Sequence, residues 1–287
     1  MRDQEGHITA DVEWARDGCL RWNGMTIDPL VSKVSNMEEG KFAPWSFGLT
    51  GQMVHVWSLR TTEVSNAVVS KFELFLTPDE RIRAERFRFE NLRHSFVLTR
   101  GALRVLLGRY LQIPPARIQI AYSSKGKPSL AEPELATFNV SHSGGLAVFG
   151  FAAGCEIGID VEEIRPLADM LDIAQRFFCP AETAELISLP ANQRERAFFH
   201  CWTRKEAYIK ALGEDLSVPL DGFQVTLRPG EPASIIHLAG DTNAARTWRL
   251  YDLELSPGYV GALAYQGLGR QLHLSLPINA DELLDMA

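Results

Sequence analysis

The spacing of apolar residues changes twice along the chain from a helical period to a strand period, and this repetition limits the folds available. A helical pattern over about 65–111 is followed by four strand-like runs that end in EIGIDVE. A second helical stretch, about 167–213, is followed by four more runs, from FQVTL to YVGALAY. This order predicts two similar α+β halves with a cleft between them, and such interfaces are common ligand sites. The predicted units are 1–52, an N-terminal extension of unknown role, 53–157 and 158–287.

Three local signals place the helix ends. Thr77-Pro78-Asp79-Glu80 has the order of a capped helix start, with Thr as the cap, Pro in the first turn and Glu at the capping-box position. A longer helix, about 91–111, is expected to end before Pro114-Pro115. Gly213 is a C-terminal stop for the second helical stretch.

Composition and charge exclude several classes of protein. The chain has 46% hydrophobic and 23% charged residues, which is ordinary for a globular protein. Its longest apolar stretch, about 146–153, is far shorter than the roughly 20 residues that cross a bilayer, and the first residues have no signal pattern. The four cysteines form no C-x-x-C pair, so free thiols are expected. These features predict a soluble, cytoplasmic protein.

The charge is unevenly distributed. The net charge is −7, which argues against a generic nucleic-acid binder. Residues 81–127 nevertheless contain eleven Lys and Arg against two Glu, or +9, so the remainder carries −16. Such a basic segment is either a solvated helix face or a local site for a small polyanion or an acidic partner protein.

Two acidic residues alternate with apolar ones in EIGIDVE. On a strand, Asp160 and Glu162 share one face and lie roughly 7 Å apart along the chain. Two carboxylates this close repel each other unless a proton or a cation intervenes, and oxygen ligands suit Mg²⁺. The alternative is an exposed edge with two solvated acids.

The segment HCWTRKEAYIKALG has the composition of a helix. Glu206 and Lys210 are spaced to form an i,i+4 surface pair, which contributes about 0.3 kcal/mol. Apolar and aromatic residues surround this pair, however, and favour a helix that packs inwards.

A third polar cluster lies in FNVSHSGG, where Ser141 and His142 end a strand at a Gly-Gly turn. Neighbours on a strand point to opposite faces and no G-x-S-x-G motif is present, so a serine hydrolase is disfavoured. Backbone amides, a hydroxyl and an imidazole near such a turn can hold a phosphate. Lys125 and Lys127 on the preceding turn add two ammonium groups. The chain has no G-x-x-x-x-G-K-[ST], which excludes a P-loop.

Taken together, K-G-K-P, F-N-V-S-H-S-G, I-G-I-D-V-E and W-T-R-K-E-A-Y-I-K resemble the Sfp-type 4'-phosphopantetheinyl transferases in order and spacing. P-L-D-G-F follows the last of these motifs. The match runs from about Met53 to the C-terminus and leaves the first 50 residues unexplained. The resemblance implies an α+β fold with two pseudo-symmetric halves that hold coenzyme A in their cleft.

The resemblance also implies the catalytic groups. Mg²⁺, or Mn²⁺ in its place, is expected on the coenzyme pyrophosphate, with Asp160, Glu162 and Glu206 as its ligands. Lys210 is expected to neutralise charge on the reacting phosphates. Glu206 or a metal-bound water is expected to take the proton of the attacking serine.

Coenzyme contacts are implied from both halves. The expected residues are Arg83, Arg100, Lys127, Ser141, His142, Asp160, Lys205 and Lys210. Of these, His142 is expected at the 3'-phosphate. The chain has Glu80 where some relatives have a basic residue, so its grip on that phosphate is expected to differ.

The implied reaction transfers the phosphopantetheine arm of coenzyme A to a serine of an apo acyl, peptidyl or aryl carrier protein and releases adenosine 3',5'-bisphosphate. A cytoplasmic monomer that binds neither membrane nor nucleic acid is expected. One alternative keeps the metal site but hydrolyses a nucleotide pyrophosphate. Another is a nucleic-acid-binding module on the basic segment, which would leave the acidic residues without a role.

Overall fold

The predicted repetition of helices and strands is present in a computed structural model of the chain. The structure describes the backbone of three short strands near the N-terminus: β1 (Val12–Trp14), β2 (Leu20–Trp22) and β3 (Met25–Ile27). Beyond them it describes residues 49–123, 126–131, 136–213, 219–238, 242–267, 269–275 and 277–287. Cys19 and Lys125 lie outside the described residues. The fold is of the α+β class, as the sequence predicted.

In the part of the first half that the structure describes, a strand is followed by three helices and four further strands. In chain order these are β4 (Met53–Arg60), α1 (Asn66–Glu73), α2 (Pro78–Glu85), α3 (Glu90–Leu111), β5 (Ile120–Tyr122), β6 (Pro128–Leu130), β7 (Thr137–Ser143) and β8 (Leu146–Ala152). A short 3₁₀ turn, Pro115–Arg117, follows α3. Because the first two helices are capped by Ser65 and Thr77, their ends fall close to the predicted positions.

The second half repeats this order, with one short extra helix. Its elements are β9 (Ile157–Glu163), α4 (Met170–Phe177), α5 (Pro180–Ser188), α6 (Ala191–Leu212), β10 (Phe223–Val225), β11 (Ile235–Leu238), α7 (Thr242–Arg246), β12 (Trp248–Leu253) and β13 (Tyr259–Gln266). The predicted stop at Gly213 is confirmed, because this residue closes α6 with φ of 74°.

The C-terminal segment returns to the first half. Strand β14 (Gln271–Leu274) runs parallel to β4 on one side and to β3 on the other. The resulting sheet has the order β1-β2-β3-β14-β4-β8-β7, whereas β12-β13-β9 form a second sheet. Helix α8 (Ala280–Leu284) then packs its Ala280 and Leu283 into the core of the first half. The short N-terminal strands therefore extend the sheet of the first half.

Three apolar cores, counted among the described residues, stabilise the packing of these layers. One lies between β4–β7–β8 and the helices α1 and α3, and a second lies between α6 and the sheet of the second half. The third lies between the two sheets and contains Val56, Val148, Ile159 and Leu263.

Cys179 and Cys201 are free and buried, and Cys155 is free and partly buried. Among the described helices, none combines the length and hydropathy that a bilayer span requires.

Candidate functional site

Helix α6 approaches β9 closely because of a glycine on that strand. A Cβ atom at Gly158 would lie 2.0 Å from the carbonyl oxygen of Ala207 and 2.3 Å from the backbone nitrogen of Ala211. Since real Cβ atoms do not approach other atoms so closely, only glycine permits this packing. The contact brings Glu206 and Lys210 of the helix to Asp160 of the strand.

Asp160 is the most enclosed of the three candidate carboxylates, with 4% of its surface exposed. Its Oδ1 atom accepts hydrogen bonds from Lys210 Nζ at 2.6 Å and from Ser141 Oγ at 2.8 Å. Its Oδ2 atom is buried and has no hydrogen-bond partner among the described residues. Asp160 therefore does not lie on a solvated edge, and it connects the two halves because Ser141 belongs to β7.

Glu206 and Glu162 lie close enough to Asp160 to change each other's charge state. Burial raises the pKa of Glu206, and the carboxylates of Asp160 and Glu162 raise it further against the opposing effect of Lys210. Burial and Asp160 also raise the pKa of Glu162, while the Ser143 hydroxyl lowers it. The Oε1 atom of Glu206 is buried without a partner in the described part of the chain. The three acidic groups thus form one electrostatic cluster.

The donor set of this cluster fits a hard divalent cation. In their present positions, no three or more His, Cys, Asp or Glu side chains of the described residues are arranged to hold a metal ion. The free Oδ2 of Asp160 and Oε1 of Glu206 are, however, the oxygen donors that Mg²⁺ prefers. Buried carboxylate oxygens without partners are costly, and a cation would satisfy them.

His142 and Lys127 adjoin the cluster from the first half. His142 is exposed on β7, and partial desolvation and the charge of Lys210 lower its pKa. The Lys127 ammonium donates to Glu156 Oε2 and to the Ala211 carbonyl, both at 3.0 Å. A cavity of about 220 Å³ lies between Lys127 and Lys210.

Arg83 and Arg100 line another cavity, of about 340 Å³, together with Phe96 and Tyr122. The Arg83 guanidinium lies 5.3 Å from the centre of the Phe96 ring. Arg100 donates to Glu80 and to the Tyr122 hydroxyl. The two arginines are therefore together, but Arg100 already has an anionic partner.

Family comparisons cover most of the chain. Residues 156–264 match the family model described as the 4'-phosphopantetheinyl transferase superfamily, and residues 63–154 match one described as 4'-phosphopantetheinyl transferase, N-terminal. HetI of Nostoc sp., a 4'-phosphopantetheinyl transferase, is 37% identical over 79% of this chain and 94% of its own length. The chain belongs to this transferase family.

Other relatives agree with this assignment. The 4'-phosphopantetheinyl transferase Sfp of Bacillus subtilis is 32% identical over 66% of this chain and 81% of its own length. The expected resemblance to Sfp-type transferases is confirmed, and with it the enzyme class. Among solved structures, an ACPS–coenzyme A complex of Chronobacterium ammoniagenes overlaps 40% of this chain and 98% of its own chain at 18% identity and a TM-score of 0.31, too low to add to the assignment.

Lys205 of the transferase is not in the cleft, which corrects the expectation that it contacts the coenzyme. Its side chain is fully buried, and its ammonium lies 2.9 Å from Glu182 Oε2. It also donates to the carbonyls of Leu220 at 2.7 Å and Phe223 at 2.6 Å. Because these three partners use all the donors of an ammonium group, Lys205 holds the segment after α6 in place.

Sequence reasoning missed two groups that shape the site. Ser143 Oγ donates to Glu162 Oε2 at 2.6 Å, and the Tyr259 hydroxyl donates to the Gly144 carbonyl. The alternating polar residues of FNVSHS were a signal for the first, because alternate residues of a strand share a face. No local pattern indicates the second, since Tyr259 reaches the hairpin from the other half.

Proposed function

We propose that this transferase moves the 4'-phosphopantetheine group of coenzyme A to a serine hydroxyl of an apo acyl, peptidyl or aryl carrier protein. The reacting groups would meet in the cleft lined by β7, β9 and α6. The observation that supports this most is the pairing of Lys210 with Asp160 beside two buried carboxylate oxygens that lack partners. A basic group and an unsatisfied acidic cluster at one place suit a cation-bound pyrophosphate.

Asp160, Glu162 and Glu206 would hold Mg²⁺, or Mn²⁺ in its place. When bound, this ion would supply positive charge to the pyrophosphate oxygens. Lys210, whose ammonium lies 2.6 Å from Asp160 Oδ1, would neutralise the charge that develops on the departing bisphosphate.

In the transfer itself, the serine oxygen forms a bond to the β-phosphorus of coenzyme A, and the bond from that phosphorus to the bridging oxygen breaks. The electron pair of the broken bond leaves with adenosine 3',5'-bisphosphate. Glu206, or a water beside it, would accept the serine proton.

Residues from the first half would bind the coenzyme. Ser141 and His142 would contact its phosphates, with His142 at the 3'-phosphate, and Lys127 would reach the same region from its turn. The cavity of Arg83 and Arg100 would take a further part of the nucleotide. Because Arg100 is paired with Glu80, binding of the 3'-phosphate would depend more on Arg83 and His142.

The wider assignments follow from this function. We place the transferase in the cytoplasm as a monomer, with a carrier protein as its partner and neither membrane nor nucleic acid as a ligand. The division into 1–52, 53–157 and 158–287 is kept as a proposal for the units of the fold, with β14 crossing back to the first half.

The test is incubation of the full chain with coenzyme A, Mg²⁺ and an apo carrier protein, followed by intact mass measurement of the carrier. We expect the carrier to gain one phosphopantetheine group only when the divalent cation is present. Asp160→Asn should abolish the gain, whereas Asp172→Asn, which changes an exposed carboxylate on α4, should leave it intact. Undiminished transfer in excess EDTA would contradict the cation assignment. Coenzyme consumption without a carrier would favour the pyrophosphate hydrolase instead.

A further inference from the structure

Three polar side chains on β7 connect the edges of the two sheets. Strand β7 pairs with β8 and strand β9 pairs with β13, and within the described strands no backbone ladder joins β7 to β9. The backbone amides of β9 donate to side chains of β7 instead. Ile159 N donates to Asn139 Oδ1 at 2.9 Å, Val161 N to Ser141 Oγ at 3.4 Å, and Glu163 N to Ser143 Oγ at 3.2 Å.

This side-chain ladder repeats every second residue on both strands. Asn139, Ser141 and Ser143 alternate on β7 just as their three donors alternate on β9. A shift of one residue would therefore break every rung together. The ladder fixes how the edge of the first half is aligned with the edge of the second.

The hydroxyl groups of the two serines also donate hydrogen bonds. Ser141 Oγ donates to Asp160 Oδ1 at 2.8 Å and Ser143 Oγ donates to Glu162 Oε2 at 2.6 Å. A hydroxyl can accept and donate at the same time, so each serine is held by one β9 amide while it orients the adjacent β9 carboxylate. Charge-assisted bonds of this kind are stronger than neutral ones.

Ser143 has the more specific task of the two. Ser141 shares Asp160 Oδ1 with Lys210, so that carboxylate has a second donor to hold it. For Glu162, the Ser143 hydroxyl is the hydrogen-bond donor recorded within the described residues, while Arg165 and Lys210 act on it through charge. Loss of the Ser143 hydroxyl would thus free Glu162 to rotate.

We propose that Ser143 is a positioning residue that orients Glu162 for the divalent cation and that, with Asn139 and Ser141, it aligns the two halves of the cleft. The cation part of this statement depends on the proposed function. Loss of partners of this kind typically weakens metal binding by about 10–100-fold.

The test compares Ser143→Ala, Ser143→Thr and Thr137→Val in the full chain. Thr137 is a matched control because it lies on the same face of β7, but its hydroxyl donates to the carbonyls of Ala152 and Cys155 and not to a carboxylate. Mn²⁺ binding is measured by electron paramagnetic resonance, without coenzyme or carrier. Hydrogen exchange of the Glu163 amide and the values of kcat and KM are measured alongside.

We expect Ser143→Ala to raise the Mn²⁺ dissociation constant about 10–100-fold, to lower kcat more than it raises KM, and to speed exchange of the Glu163 amide. Ser143→Thr, which keeps the hydroxyl, should restore Mn²⁺ affinity to within about threefold of the wild type. Thr137→Val should leave Mn²⁺ affinity unchanged. If Ser143→Ala does not fold, Ser143→Cys, a weaker donor of similar size, takes its place with the same expected direction.

Two results separate the failure of this inference from the failure of the proposed function. If Ser143→Ala and Thr137→Val bind Mn²⁺ equally well while Asp160→Asn does not bind it, the positioning role is wrong and the cation site stands. If Asp160→Asn binds Mn²⁺ as tightly as the wild type, the proposed cation site itself is wrong, and the positioning role falls with it.

Discussion

The two halves of the molecule share a framework and differ in what they place on it. The long helices α3 and α6 both have 22 residues, and aligning their first residues brings Arg104 onto Lys205. Each of these cations pairs with the capping-box glutamate of the preceding helix, Glu80 or Glu182. Each also donates to two carbonyls of the segment that follows its own helix. In each half, therefore, an equivalent ion pair holds the segment that follows the long helix.

The next position on each helix shows the difference. Val105, which follows Arg104, is fully buried in the first core, whereas Glu206, which follows Lys205, faces the carboxylate cluster. On the helix-facing side of β4, Trp57 lies in that first core, whereas on the helix-facing side of β9 Asp160 contacts Lys210 of α6. The first half thus has apolar residues on the facing surfaces of its long helix and first strand, where the second half has charged ones. The shared fold is therefore separable from the chemistry.

The largest expected effect comes from removing charge in the second half. Asp160→Asn or Glu206→Gln should lower kcat on the order of 10³-fold, because each would remove a ligand of the proposed cation that neutralises the reacting phosphates. The fold should persist, since the third core and both buried ion pairs are untouched. Turnover with a carrier protein and a far-ultraviolet circular dichroism spectrum are measured together.

A variant in the core of the first half provides the comparison for Asp160→Asn. Trp57→Phe removes the indole donor to Tyr110 but keeps an aromatic ring in the core. It should lower the melting temperature and leave kcat within about twofold of the wild type, since no reacting group is changed. A kcat loss in Trp57→Phe as large as that in Asp160→Asn would refute the separation of framework and chemistry.

The ion pairs should differ in their effect on stability. Glu182 and Lys205 are fully buried, whereas the Glu80 side chain keeps 9% of its surface exposed and has Arg100 as a second partner. Glu182→Gln leaves a buried ammonium uncompensated and should cost about 3–5 kcal/mol in free energy of unfolding, and Glu80→Gln should cost less. Urea titration of both variants measures this difference.

The same pair tests the position of Lys205. In the double variant Glu182→Leu with Lys205→Met no buried charge is left unpaired, so part of the stability lost in Glu182→Gln should return. The return is incomplete because the backbone amides of Cys179 and Val225 lose their acceptor, and two carbonyls lose their donor. The KM for coenzyme A should then match that of the wild type, because Lys205 lies away from the cleft. A strongly raised KM for coenzyme A in a folded double variant would show that Lys205 does contribute to coenzyme binding.

Mild acid should weaken the first half before the second. Burial and His273 lower the pKa of His55 to about 4, so between pH 6.5 and 4 the unfolded chain binds a proton that the folded chain does not. Stability therefore falls as pH falls through this window, by about 3 kcal/mol for this residue. In the second half, Asp252 has a pKa lowered to about 2, and its contribution is lost only as pH falls from 3.8 to about 2.

Hydrogen exchange at pH 7 and pH 5 distinguishes the halves. Amides of β4 should lose protection at pH 5 while those of β13 keep it, and His55→Gln should flatten the pH dependence of stability. Equal loss of protection in β4 and β13 would show that the halves unfold as one unit in acid.

The sequence predicted much of this arrangement because the relevant signals are local. The capping box at Thr77–Glu80, the stop at Gly213 and the alternation around Asp160 are each read from a few neighbouring residues, and each agrees with the structure. The shift in period gave the α+β class for the same reason. Two halves with a common framework repeat such signals, which makes them easier to recognise.

What the sequence did not reveal depends on contacts between distant segments. Lys205 belongs to the same motif as Glu206, yet its neighbours in space are Glu182 and the carbonyls of Leu220 and Phe223. Successive helical residues point about 100° apart, so a motif can serve the framework at one position and the site at the next. The return of β14 to β4 depends in the same way on pairing across more than 200 residues.

The smallest effect concerns the residue where the halves meet. His142 belongs to the first half, but the charge of Lys210 in the second half lowers its pKa. His142→Ala should raise the KM for coenzyme A about tenfold and leave kcat nearly unchanged, since the proposed contact to the 3'-phosphate would add binding but take no part in bond transfer. With 3'-dephospho-coenzyme A the same substitution should change KM little. Equal losses with both ligands, or a fall in kcat like that expected for Asp160→Asn, would place His142 among the reacting groups, and the first half would then share in the chemistry.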